Sequence, residues 1–193
     1  MPSPNKIKFQ LDSWVPVYWA VLLLTIPLKP LACILVSITV HELFHFLAAK
    51  ILKIPVISIK IHVLRIKMTV NNMSNLQEMI CALAGPLGGF FLAGIFHKYP
   101  LLSLCALLHS VFNLIPLYPL DGGRAMCSLI GLLFPREKSE WLCRLFQWMI
   151  LSLLFAACLY GSYRYHTGAP LFLLTVIILQ IKIPCKENFI GVQ

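Results

Sequence analysis

Six apolar runs parted by short polar or basic connectors leave this chain few ways to fold. They cover residues 14–28, 31–51, 76–96, 101–117, 141–160 and 169–183. As a helix, the run 31–51 is about 30 Å long, enough to cross a bilayer's hydrocarbon core. Charged residues make up 12% of the chain and hydrophobic ones 59%, where soluble domains carry about a quarter charged residues. The expected fold class is an all-α polytopic membrane protein of about six transmembrane helices. At 193 residues it forms a single domain spanning 1–193. The run 14–28, behind Lys6 and Lys8, looks like a signal sequence without a small-residue cleavage site and is read as a retained first helix.

The formal charge of +9 would suggest nucleic acid in a soluble chain. Here the basic residues lie in the connectors. With the amino terminus in the cytosol, thirteen of them fall inside, from Lys6 and Lys8 through Lys50, Lys53, Arg124 and Arg136 to Lys186. Only Lys29, Lys98 and Arg164 fall outside. That bias predicts a multi-pass cell-membrane protein with both termini cytosolic. The lipid bilayer is the expected partner and nucleic acid is not. Seven cysteines without a C-x-x-C pair argue against a cysteine-held metal and against a disulfide framework.

Two segments break the apolar pattern in ways that shape the fold. In residues 55–70, Ile57, Ile59, Ile61 and Val63 alternate with Ser58, Lys60 and His62, a period of two that predicts strand. The phase changes at Leu64-Arg65, where a bend is expected. Unpaired strand edges are not tolerated in lipid, so this small β element belongs at the membrane face or under cover of protein. Further on, Pro116 and Pro119 interrupt the fourth run just before Asp121-Gly-Gly-Arg124. A short helix is expected over 125–134.

The chemistry sits in the second run, at His41-Glu42-Leu-Phe-His45. Histidines four apart project from one face of a helix and can grip one metal ion, with the glutamate placed to take a proton from a water at the metal. Three ionisable groups in the middle of a membrane helix call for a functional reason. The topology puts His45 about 9 Å from the cytosolic end of its span and brings Asp121, from the fourth span, to the same depth. Two imidazoles, one carboxylate and an open position suit catalytic zinc. Asn113 is the candidate donor to a polarised carbonyl.

Each of these residues also has a plainer reading. The histidines could form a hydrogen-bonded pair inside the helix, Asp121 could cap the following helix, and Asn113 could bond a neighbouring helix. His109, one turn before Asn113, could support the site, but space filling is the favoured reading. Arg124 is expected to anchor at the headgroups.

H-E-L-F-H, paired with N-L-I-P-L-Y-P-L-D-G-G-R, resembles the site-2 protease family of intramembrane zinc metalloproteases. Gly85-Pro-Leu-Gly-Gly89 is similar to that family's middle core helix. The likeness covers about residues 31–130, a three-helix catalytic core. It implies His41, His45 and Asp121 as ligands of one zinc ion, Glu42 as general base, and Asn113 with the Pro116 region as part of the substrate groove. The layout is similar to the branch containing the bacterial sporulation protease, whose substrate is a membrane-tethered sigma-factor precursor. Neither a PDZ nor a CBS domain is expected here. The implied function is regulated intramembrane proteolysis of a membrane-associated protein, such as a sigma-factor or anti-sigma precursor, near the cytosolic face, with room for an inhibitory membrane partner. Two other classes compete. A catalytically silent membrane adaptor would be expected to have lost one of His41, Glu42, His45 or Asp121. A metal transporter would show repeats or several intramembrane carboxylates.

Overall fold

The computed structural model describes residues 8–11, 26–54, 56–61, 66–70 and 73–166. Among them lie five helices: α1 (Leu28–Ile51), α2 (Asn75–Ile95), α3 (Pro100–Asn113), α4 (Asp121–Leu133) and α5 (Arg136–Tyr165). Three of these, α1, α2 and α5, are long and apolar enough to cross a membrane. The expected first span, 14–28, lies outside the described residues except for 26–28, and the expected last span, 169–183, lies outside them entirely.

Helix boundaries follow backbone chemistry more closely than hydropathy. Lys29 and Pro30, the connector between the first two apolar runs, belong to the first turn of α1. Proline is tolerated there because first-turn N–H groups have no partner within the helix. α2 begins with a capping box: Gln77 N–H donates to Ser74 Oγ, and Ser74 N–H donates to the Gln77 side chain.

α3 departs most from expectation. The apolar run reaches residue 117, but the helix ends at Asn113, giving a length of about 21 Å, too short to span the core. Pro116 has no N–H and disfavours helical geometry in the residue before it. The chain then turns through residues 114–120, held by Leu117 N–H to Ile115 O at 2.7 Å and Leu120 N–H to Leu117 O at 2.9 Å. The Leu117 side chain is buried beneath this turn. α4 starts four residues earlier than expected, taking Asp121-Gly-Gly-Arg124 into its first turn. α5 likewise extends back to Arg136, directly after Pro135.

α2 is the hub, packing against α1, α3 and α4, while α5 packs on α4. Small residues permit this. A Cβ on Gly88 would strike the Phe44 ring of α1, and one on Gly89 would strike Ser110 Oγ of α3 and lie 3.2 Å from Ala106 O. Large apolar side chains such as Val36, Leu43, Leu87, Phe91, Leu153 and Phe155 point outward on the three long helices. An exposed apolar surface of that extent is what a lipid-facing bundle requires.

The backbone also forms a three-stranded sheet of β1 (Lys8–Leu11), β2 (Val56–Ile61) and β3 (Ile66–Val70), in the order β1-β2-β3. β1 runs parallel to β2 and β3 antiparallel to it, with Ile59 opposite Phe9 on one side and Met68 on the other. β2 ends and β3 begins on either side of Leu64-Arg65. The strand β1 was not anticipated, although Lys8-Phe9-Gln10-Leu11 does alternate polar with apolar.

Candidate metal centre

α1 carries His41 and His45 one helical turn apart, facing α2 and the start of α4. The four-residue spacing stacks their rings edge-on, with centroids 4.7 Å apart. From the other side comes Asp121, the first residue of α4. Leu120 holds the N-cap position and no side chain caps this helix, so the Asp121 carboxylate is free of the capping role considered from sequence. Its Oδ2 lies 2.9 Å from His41 Nε2 and 3.1 Å from His45 Nε2, and the two Nε2 atoms are 3.1 Å apart. His41 is 2% exposed and Asp121 7%.

Those three atoms could hold one metal ion. The fit can be tested on geometry. Tetrahedral zinc with ligand bonds of about 2.0–2.1 Å keeps its donors about 3.3 Å apart, and the observed edges of 2.9 to 3.1 Å come within a few tenths of that. The protonation pattern also fits. His45 Nδ1 lies 2.7 Å from the Cys81 carbonyl oxygen, which can only accept, so Nδ1 carries the hydrogen. In the neutral ring, Nε2 then presents its lone pair to the cluster. Electron-rich atoms crowded this closely, away from water, must share either a proton or a metal cation. The residues present fit zinc.

α2 makes this approach feasible. A Cβ on Gly85 would lie 2.7 Å from His41 Nε2 and 2.5 Å from His45 Cε1, so no larger residue fits without moving the ligands. Gly122 and Gly123 do the same for α4. Side chains there would enter the backbone of Leu114, Leu117 and Tyr118, pushing away the segment that carries Asp121. Glu78, Cys81, Gly85 and Gly88 share one face of α2 at heptad-like spacing, and this face serves the centre.

Glu42, beside His41, is half-buried and within electrostatic reach of His45, His41 and Asp121. Asn113 is the last residue of α3. Its amide nitrogen lies 3.0 Å from the His109 carbonyl oxygen and 3.2 Å from His109 Nε2, one turn back on its own helix. The His109 ring in turn packs edge-on against His41 at 4.7 Å, beside the centre. Arg124 is not free at the headgroups. Its Nε and Nη2 each lie 2.8 Å from Glu78 Oε1, and its Nη1 lies 3.4 Å from Asp121 Oδ1.

A buried His-x-x-x-His pair facing a carboxylate among membrane-length helices defines a membrane metalloprotein centre. Comparison narrows this further. The fold is similar to that of the site-2 protease from Methanocaldococcus jannaschii, with a TM-score of 0.63 over 97% of each chain at 19% identity. Over 64% of its length the sequence is 27% identical to zinc metalloprotease MJ0392 of the same organism. The alignment spans 38% of that relative, so the chain matches well under half of its length. No protein-family model matches the sequence. In fold the chain resembles that site-2 protease.

Proposed function

We propose that this protein is an intramembrane zinc metalloendopeptidase that cuts a membrane-associated protein near the cytosolic face. The observation that carries the reading is the convergence of His41 Nε2, His45 Nε2 and Asp121 Oδ2 within 3.1 Å, directly beside Glu42. In this reading His41, His45 and Asp121 hold the metal, and residues 31–130 form the catalytic core of a single domain.

Zinc held there supplies Lewis acidity, polarising a peptide carbonyl and bringing the pKa of water down to about 7. The protein does the rest. Glu42 accepts the proton released from water at its carboxylate and returns it to the leaving amine nitrogen. Cys81 O keeps the His45 ring in one tautomer. Asn113, once released from His109, donates its amide hydrogen to the carbonyl oxygen as negative charge develops there. The packing of α1, α2 and α4 excludes bulk water around His41 and Asp121, so each of these interactions acts at low dielectric.

A helical substrate hides its amide bonds and must be held extended. β2 is paired on both sides, so a substrate strand would add at an outer edge, on β1 or β3. The sheet would lie at the membrane face. Charge bias supports a six-span, multi-pass arrangement with both termini cytosolic, in which residues 114–120 complete the fourth crossing beyond the short α3. A sigma-factor or anti-sigma precursor is the substrate class that the family likeness favours, with an inhibitory membrane partner as its regulator.

The test is Glu42→Gln in detergent-purified protein, measuring metal content and cleavage of a membrane-tethered substrate together. Retained zinc with lost cleavage is expected. Undiminished cleavage removes Glu42 from the mechanism, and a parent protein that holds no zinc sinks the whole reading.

A further inference from the structure

Asp121 has two carboxylate oxygens, and the structure treats them differently. Oδ2 faces the histidine pair, at 2.9 and 3.1 Å. Oδ1 faces away, 3.4 Å from Arg124 Nη1. That guanidinium is itself fixed, because Glu78 Oε1 receives both Nε and Nη2 at 2.8 Å. The chain of contacts runs from the first turn of α2, through Arg124 in the first turn of α4, to the carboxylate three residues before it on the same helix.

We infer that Arg124, held by Glu78, is a positioning residue that orients Asp121 so that a single oxygen, Oδ2, meets the metal. This rests on the metal-centre reading above and extends it to residues that do not touch the ion. The physical case has three parts. A free carboxylate can rotate to offer zinc both oxygens, filling the position that water and substrate need. A donor on Oδ1 opposes that rotation. A guanidinium can do this where an ammonium cannot, because its fork grips Glu78 along one edge and leaves Nη1 for Asp121. Glu78 has a second effect, since its charge balances Arg124 and spares the ion an uncompensated positive neighbour. Arg124 and Glu78 side chains are 32% and 31% exposed, so the pair contributes orientation more than stability.

Partners of this kind, beyond the ligands themselves, typically change metal affinity by about 10- to 100-fold when removed. Two readouts besides activity test the inference: zinc affinity by chelator competition, and the visible absorption of the cobalt-substituted protein, which reports coordination number. R124A is expected to lose about 10- to 100-fold in zinc affinity and to show the weaker cobalt bands of a higher-coordinate site. R124K, which keeps the charge but lacks the fork, should stay close to R124A. E78Q should fall in the same direction.

A role confined to tying α2 to α4 predicts a different result. R124A and E78Q would then lower the melting temperature and leave zinc affinity and the cobalt spectrum as in the parent. That outcome, or R124K matching the parent, overturns the inference. Should R124A fail to fold, R124K and E78Q decide by the same criteria. A parent that binds zinc alongside unaffected variants refutes the role of Arg124 alone. A parent that binds none refutes the metal centre, and this inference falls with it.

Discussion

Adding one methyl group to Gly85 should disable the metal centre without touching any ligand. A Cβ built there lies 2.7 Å from His41 Nε2 and 2.5 Å from His45 Cε1, whereas ordinary contact begins at 3.4 Å. The rings would have to retreat by about 0.7 Å or more, most of all at His45 Nε2, yet metal bonds tolerate only about 0.2 Å. Overpacking of this kind costs about 1–3 kcal/mol, so G85A should weaken zinc binding by roughly 10- to 100-fold at about 1.4 kcal/mol per decade. Gly94 supplies the control. It lies on the same helix with nothing within 4 Å of its own built Cβ, and alanine there brings the same gain in helix propensity, about 1 kcal/mol. The assay is chelator competition on purified G85A and G94A, with helix content checked by circular dichroism. G94A should match the parent. If G85A, equally helical, binds zinc as the parent does, α2 does not press on the ligands as described.

Two further perturbations separate substrate handling from metal binding. N113A should reduce cleavage by about 100- to 1,000-fold while leaving zinc content at the parent level; an unchanged rate would leave the developing charge to other donors. I59P strikes the central strand, where a proline removes a ladder hydrogen bond whichever neighbour its N–H faces. Its cleavage should fall with zinc content unchanged, and full activity would take the sheet out of substrate handling.

What could be read from the residues alone was whatever depends on local periodicity. The spacing of His41 and His45 put them on one helix face before any contact was known, since 3.6 residues per turn admits little else. The sequence did not show where helices stop inside an apolar run. Hydropathy continues through Leu114 and Ile115, but the missing N–H of Pro116 ends α3 at Asn113. Asn113 itself shows the limit of a residue-type argument, because an amide can serve a substrate or bond the previous turn, and only its surroundings choose.

Sequence by itself therefore determined the membrane class and named the chemical groups: a histidine pair, a neighbouring glutamate, and an aspartate after a broken helix. Tertiary structure decided how those groups are held. Glu78, Cys81, Gly85 and Gly88 look like unrelated residues of an apolar helix until α1 and α4 close on it. One then fixes an arginine, one fixes a tautomer, and two make room by having no side chain. The physical reason is that each of these roles is defined by a partner far along the chain. A carbonyl 36 residues from His45 selects its protonated nitrogen, and a carboxylate 46 residues from Arg124 sets its orientation. No local pattern encodes either distance.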